Sequence, residues 1–191
     1  MIIIRHRINT IEALRSVPAQ YGVENDLRPV HNGIILHHDP FHDGPLFTSY
    51  LEHYHHPFMI ANIKSEGIEE QVIQELDTRG IAQYLLLDVS LPFMVKLAKK
   101  GVSKMAVRFS EYEPQELALK FAGKVDWVWA DCFTHLPLTP EIYAQLKPHF
   151  RICIVSPELQ GHATEMIAAF RGQLQQMPID AVCTKHPELW Q

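Results

Sequence analysis

The sequence predicts a single-domain (β/α)8 TIM barrel over residues 1–191. Three observations predict it. Short runs rich in Ile, Val and Leu alternate with segments of helical period along the chain. Most of those runs are continuously apolar, as parallel strands buried on both faces are. Eight of them can be counted, and closing eight strands into a ring removes the edges an open sheet leaves exposed. A barrel of this kind usually takes about 250 residues, so trimmed loops are expected here. A doubly wound open sheet is the competing architecture.

The elements follow in order. Ile2 to Ile4 opens the series as a strand, and Thr10 to Gln20 reads as a helix with Asn9 as its cap. Gly22 to Leu27 is the second strand. Gly33 to His37 is a brief extended run, entered through the turn signal Asn32-Gly33. Leu46 to His56 reads as helix and Phe58 to Ile63 as strand. Ile68, Val72, Ile73 and Leu76 share one helix face. Tyr84 to Val89 is strand, and Pro92 to Lys99 is a helix stopped by Gly101. Met105 to Phe109 is strand, with Pro114 in the first turn of the next helix, where its missing N–H costs nothing. Val125 to Ala130 is strand, and Pro140 to Leu146 is a helix capped by Thr139. Ile152 to Val155, a helix over His162 to Gln175, and a last strand over Ala181 to Cys183 complete the pattern.

Composition narrows the function. The chain is 47% hydrophobic and 20% charged, an ordinary globular balance. Its net charge of -5 gives no electrostatic case for nucleic acid. Cys132, Cys153 and Cys183 each sit in an apolar run; their odd number and wide spacing read as buried thiols of a reducing compartment, not a disulfide framework. The apolar start, Met1 to Ile4, is too short for a signal-peptide core, and no run reaches membrane-spanning length. The expectation is a cytoplasmic protein.

In a barrel, function gathers where strands end and the following loops begin. Those places carry Arg5, His6 and Arg7; Glu24 and Asp26; His37, His38 and Asp39; Asn62 and Lys64; and then Asp88, Arg108, Asp131, Glu158 and Lys185. Glu24 and Asp26 are two apart in a strand, so their side chains share a face. Two carboxylates converging there need positive charge between them, and Mg²⁺ or Ca²⁺ suits such oxygen ligands. The bland alternative is a solvated strand end. His6 and His38 follow different strands, yet one barrel mouth can hold both, and two imidazoles can divide general-base and general-acid roles. His53, His55 and His56, with His37 and His42, lack any zinc-motif spacing and read as a solvated helix end.

Taken in order, these residues resemble the glycerophosphodiester phosphodiesterase family, whose fold is such a barrel. His6-Arg7, Asn9-Thr10, Glu24-x-Asp26 and His38-Asp39-Pro40 follow the family's succession of motifs in the first forty residues. Ile60 to Lys64 is similar to its Glu-x-Lys strand, and Asp180 to Leu189 to its closing strand and proline turn. The resemblance implies metal-dependent cleavage of a small phosphodiester and a place in lipid metabolism. It implies His6 and His38 as the catalytic pair, with Glu24, Asp26 and Asn62 around a divalent cation, Mg or Ca. Arg7 and Lys64 become the phosphate contacts. Which histidine is acid and which is base stays open. Ile8 stands where the family has glycine, and Asn62 stands where it has a carboxylate, a loss for which Glu66, of the same strand parity, could compensate. These departures leave a second expectation, a barrel that binds a phosphorylated ligand without cleaving it. A sugar-phosphate isomerase is a further rival, disfavoured because Ser156-Pro157-Glu158 and Thr184-Lys185-His186 hold no glycine for a backbone phosphate site.

Overall fold

Strand β1 (Ile2–Arg5) is flanked by two parallel neighbours: Ile4 is in register with Gly22 of β2 (Gly22–Val30) and with Cys183 of β9 (Ala181–Thr184). In the computed structural model, which describes residues 1–191, the sheet runs from β2 through β4 (Met59–Ile63) to β5 (Tyr84–Leu87). From β9 it runs through β8 (Arg151–Val155) and β7 (Trp127–Ala130) to β6 (Ala106–Phe109). A single bridge, Leu86 to Met105, joins β5 to β6, and the Leu86 N–H donates to the Lys104 carbonyl at 2.9 Å. The architecture is therefore the expected eight-stranded parallel barrel, nearly closed, with its seam between β5 and β6. The brief run after the Asn-Gly turn is β3 (Gly33–Leu36), antiparallel to the end of β2 and outside the ring. That pairing carries β2 to Val30, beyond the Leu27 expected from hydrophobicity alone.

Seven helices alternate with the strands: α1 (Ile11–Ser16), α2 (Phe47–Leu51), α3 (Glu69–Thr78), α4 (Leu91–Lys99), α5 (Gln115–Leu119), α6 (Pro140–Leu146) and α7 (Met166–Gln173). Several are shorter than their periodicity indicates. Helix α1 stops at Ser16 because Val17, preceding Pro18, is forced into an extended conformation. Its cap is Thr10, whose hydroxyl accepts from the Ala13 N–H at 3.0 Å, and not Asn9, which is drawn into the barrel mouth. The helix expected over Leu46 to His56 ends at Leu51. Beyond it the His56 ring is buried against the carbonyls of Tyr21 and Leu14, at 3.0 and 3.3 Å, and so pulls the chain off the helical path. Thr139 caps α6 as expected.

Apart from β1, of which only Ile4 is buried, the barrel strands are mostly buried, and one continuous apolar core fills the ring and the layer beneath the helices. Phe58 and Trp127 meet inside it at 5.2 Å between ring centroids. The three cysteines are free and buried, and burial pushes the Cys132 thiol up to about 12. No helix is long and apolar enough to cross a membrane.

Candidate active site

The register of β2 and β4 builds the centre of the site. Asp26 is paired with Asn62 across the two strands, and Glu24 lies two residues earlier on the same face. All three are almost wholly buried. The Asn62 amide nitrogen donates to Glu24 Oε1 at 2.9 Å and to Asp26 Oδ1 at 3.3 Å, so one amide spans both carboxylates. Asn9 completes the clasp: its Nδ2 donates to Asp26 Oδ2 and its Oδ1 accepts from the Asp26 N–H, each at 2.8 Å.

The turn after β1 adds charge. Arg7 has φ 56°, a left-handed conformation that few non-glycine residues adopt. It points the Arg7 N–H at Glu24 Oε2, 2.6 Å away, while the guanidinium Nε lies 3.8 Å from Asp26. His6 Nε2 is 3.8 Å from Glu24 Oε2, and His6 Nδ1 is buried without a partner. Burial, then the positive charge of Arg7, pushes the His6 pKa down to about 4, so the ring is neutral near pH 7. Burial, then the neighbouring Asp26, pushes Glu24 up to about 7 against the hydrogen bonds from Asn62 and Arg7.

Lys64, just past β4, lies 3.4 Å from Asp26 and 3.2 Å from Asp88. Asp88 is held at φ 57° after β5 and passes the chain of charges to Arg108 at 2.8 Å. Arg108 also reaches Asp131 at 2.6 Å and Glu113 at 3.0 Å. The phosphate contacts named from the sequence, Arg7 and Lys64, are thus both engaged with carboxylates.

His38 follows β3. Its Nδ1 lies 2.7 Å from Asp39 Oδ1, an arrangement that fixes the ring and leaves Nε2 without a hydrogen bond. The same contact holds the Asp39 carboxyl below its usual range. A cleft of about 350 Å³ opens here, lined by Arg7, Asn9, Thr10, His38, Asp39 and Gly44. Arg28 ties this loop to the centre. Its Nε and Nη2 donate to the His38 carbonyl at 2.9 and 2.7 Å, and its Nη1 donates to the Lys64 carbonyl at 3.2 Å. Sequence reading did not single out Arg28 or Glu113, nor the pairing of Asn9 with Asp26. Arg28 shares the strand parity of Glu24 and Asp26, which is the one signal that marks it.

Two expectations need correction. Glu66 does not replace the missing carboxylate: β4 ends at Ile63, and Glu66 accepts instead from Ser90. The extra histidines are not uniformly solvated, since His56 is buried on backbone carbonyls while His37 and His42 stack at 4.6 Å between centroids. No three His, Cys, Asp or Glu side chains are grouped to hold a metal ion.

The three residues expected to hold a hard cation meet at one place. Asn62 Oδ1 is buried beside the two carboxylates and has no partner. Exchanging the amide's oxygen and nitrogen would turn that oxygen toward Glu24 and Asp26, making an all-oxygen donor set of the kind Mg²⁺ and Ca²⁺ prefer. With two carboxylates in place of three, and Lys64 alongside, such a set is weaker in charge.

No protein-family model matches the chain, and no curated protein matches it in sequence. Solved structures do match in shape. A putative glycerophosphoryl diester phosphodiesterase from Agrobacterium tumefaciens str. C58 superposes with a TM-score of 0.74 at 15% identity, over 99% of this chain and 95% of that one. The fold is that of these enzymes. A glycerophosphodiester phosphodiesterase from the same organism gives 0.69 at 15% identity, over 100% and 97% of the two chains. A glycerophosphoryl diester phosphodiesterase from Parabacteroides distasonis ATCC 8503 gives 0.66 at 12% identity, over 98% and 84%. At such identities the likeness establishes the barrel and leaves the chemistry to be argued from the side chains.

Proposed function

We propose that this barrel hydrolyses a small phosphodiester. The observation that carries the reading is the pairing of His38 Nδ1 with Asp39, on a cleft that Arg7 also lines, beside the buried Glu24, Asp26 and Asn62. The phosphodiesterase fold of the structural neighbours supports the reaction class.

His6 is the proton acceptor, because its neutral form prevails at every pH well above about 4. It takes the proton of the attacking water as the new oxygen–phosphorus bond forms. His38, held by Asp39, gives a proton to the leaving alcohol as its bond to phosphorus breaks. Arg7 faces the phosphate with the guanidinium nitrogens not spent on Asp26. Lys64 contributes a point charge from its place between Asp26 and Asp88. A Mg²⁺ or Ca²⁺ ion held by Glu24, Asp26 and Asn62 would offset charge building on the phosphoryl oxygens. Arg28 keeps the His38 loop and the end of β4 in one frame.

A second reading is favoured by one observation: Arg7 and Lys64 both neutralise Asp26, as in a site that holds a phosphorylated ligand without turning it over. One experiment separates the two. Bis(4-nitrophenyl) phosphate is incubated with the protein and Mg²⁺, Mn²⁺ or Ca²⁺. Release of nitrophenol, abolished by His6→Ala, upholds hydrolysis; no release with any of the three, alongside saturable binding of glycerol phosphate lost in Lys64→Ala, upholds the binder.

A further inference from the structure

Away from the mouth, a groove of about 550 Å³ runs along the barrel wall between α4 and the turns at the end of α5. One side is an apolar stripe of Leu91, Val95 and Ala98, spaced to share one face of α4. Leu117 and Phe121 form the other. Leu91 and Val95 are 46% and 40% exposed, though they stand beside a helix face that buries Met94 and Leu97. The rim carries Lys99, Lys120 and Lys124. None of these three is in an ion pair, whereas Lys96 on the same helix as Lys99 and Lys100 just past its end are both matched by Glu70. The only polar contact among the three rim side chains is Lys124 Nζ donating to the Lys120 carbonyl at 2.8 Å. On a chain of net charge -5, three unmatched lysines round an apolar trough form a local positive site.

The groove lies between the helix that precedes β6 and the helix that follows it. Toward the mouth it is continued by a second hollow of about 160 Å³, which shares Leu91 and Leu117 and ends at Asp88, Arg108 and Glu113. An apolar track thus leads from the lysine rim up to the polar centre.

We propose that this groove binds a single-chain anionic amphiphile, with its head on Lys99, Lys120 and Lys124 and its tail along Leu91, Val95 and Leu117. Its volume falls within the span of about 300–1,000 Å³ usual for small-molecule sites. The shape is a trough between helices, which admits one chain and not the plane of a bilayer. The apolar floor gains from each methylene taken out of water, so affinity rises with chain length. The lysine stems extend that floor while their ammonium groups stay in water to meet the head. This assignment does not depend on the reaction proposed for the mouth.

The test is calorimetric titration of the full chain with octanoate and dodecanoate, each below its micelle-forming concentration. Dodecyltrimethylammonium is the control of opposite charge, and phosphatidylglycerol vesicles are the membrane control. The variants are K120E/K124E and V95E, all at exposed positions where the fold is checked by circular dichroism. Dodecanoate is expected to bind saturably, more tightly than octanoate and than the cationic control. K120E/K124E should weaken it by about tenfold, the scale of a few exposed ion pairs removed and reversed, and V95E should weaken both acids. Equal binding of the anionic and cationic amphiphiles, or binding untouched in both variants, overturns the proposal. Binding to vesicles without binding to monomeric dodecanoate overturns it in favour of a membrane surface. Self-association abolished by V95E, with no dodecanoate binding, overturns it in favour of a second copy of the chain.

Discussion

The Asn62 amide donates to Glu24 Oε1 at 2.9 Å, leaving the amide's own oxygen buried and unpartnered. A neutral donor therefore holds a carboxylate where a third carboxylate would repel it. Asn62→Asp adds a negative charge and an oxygen ligand at the same register position. It should raise affinity for Mg²⁺ or Ca²⁺ by about tenfold or more, since such sites are tuned by ligand charge count. Asp26→Asn should lower it. Calorimetric titration of the three proteins checks the order; equal affinities would remove these residues from the cation site.

Glu24 should give any cation binding a pH dependence. Its carboxyl, raised to about 7 by burial and by Asp26, must lose its proton before it can hold a cation. Cation affinity should fall as pH drops from 8 to 6, a range in which an ordinary carboxylate would show no change. In Glu24→Gln the slope across this window should vanish along with most of the affinity.

His6 leaves a mark on stability. Its folded pKa of about 4 lies below the ordinary 6.5, so between these values the unfolded chain binds a proton that the folded chain refuses. Stability is therefore full above pH 6.5 and is lost as pH falls toward 4. The ring's share is at most about 3 kcal/mol, one pKa unit being about 1.4 kcal/mol. His6→Gln should flatten the acid side of a plot of urea midpoint against pH. Glu24 works in the opposite sense, since its folded form takes up a proton first, so the His6 effect is best read as a difference between the two proteins.

Much of the fold is legible in the sequence. Most of the barrel strands read as continuous apolar runs because strands buried on both faces have no polar side to interrupt them; β2 is the chief exception, broken by Glu24, Asn25 and Asp26. Glu24 and Asp26 stand out because carboxylates two apart in a strand share a face, and His6 and His38 because one barrel mouth can hold both. What stayed hidden depends on partners far apart in sequence. Asn9 reads as a helix cap, yet its amide is taken by Asp26 across the mouth. Lys64 and Arg7 read as free phosphate contacts, yet both face carboxylates. The end of the second helix depends on His56 finding the carbonyls of Leu14 and Tyr21, which no local pattern records. The lysine-rimmed groove is likewise formed by two helices that are unrelated until the barrel closes.

Arg28 should be the most sensitive residue outside the centre. It is the only guanidinium that joins the His38 carbonyl to the Lys64 carbonyl. Lysine keeps the charge but cannot form the fork. Arg28→Lys should cost about 1–2 kcal/mol of stability through the lost hydrogen bonds and lower turnover by more than the loss of fold explains. The readout is kcat measured well below the midpoint of thermal unfolding. A normal kcat in a folded Arg28→Lys protein would show that loop placement does not limit the reaction.

The histidine pair carries the sharpest prediction. His38 is oriented by Asp39 at 2.7 Å and stands on the cleft, while His6 is neutral and lies 3.8 Å from Glu24. If His38 donates to the leaving alcohol and His6 accepts from water, removing either should reduce turnover by about 10²–10⁴-fold. The two losses should not multiply in the double variant, because both groups serve one proton-transfer cycle. Asp39→Asn should retain more activity than His38→Ala, since it disturbs the orientation of the ring without removing it. A substrate whose leaving group needs no proton separates the roles: with 4-nitrophenolate leaving, His38→Ala should recover much of its lost rate and His6→Ala should not. His53, against Arg15 at the end of the first helix, lies outside the site, and His53→Ala should leave turnover unchanged. Full turnover of an alkyl phosphodiester by His38→Ala would overturn the assignment of the acid, and recovery by His6→Ala on the nitrophenyl ester would reverse the two roles.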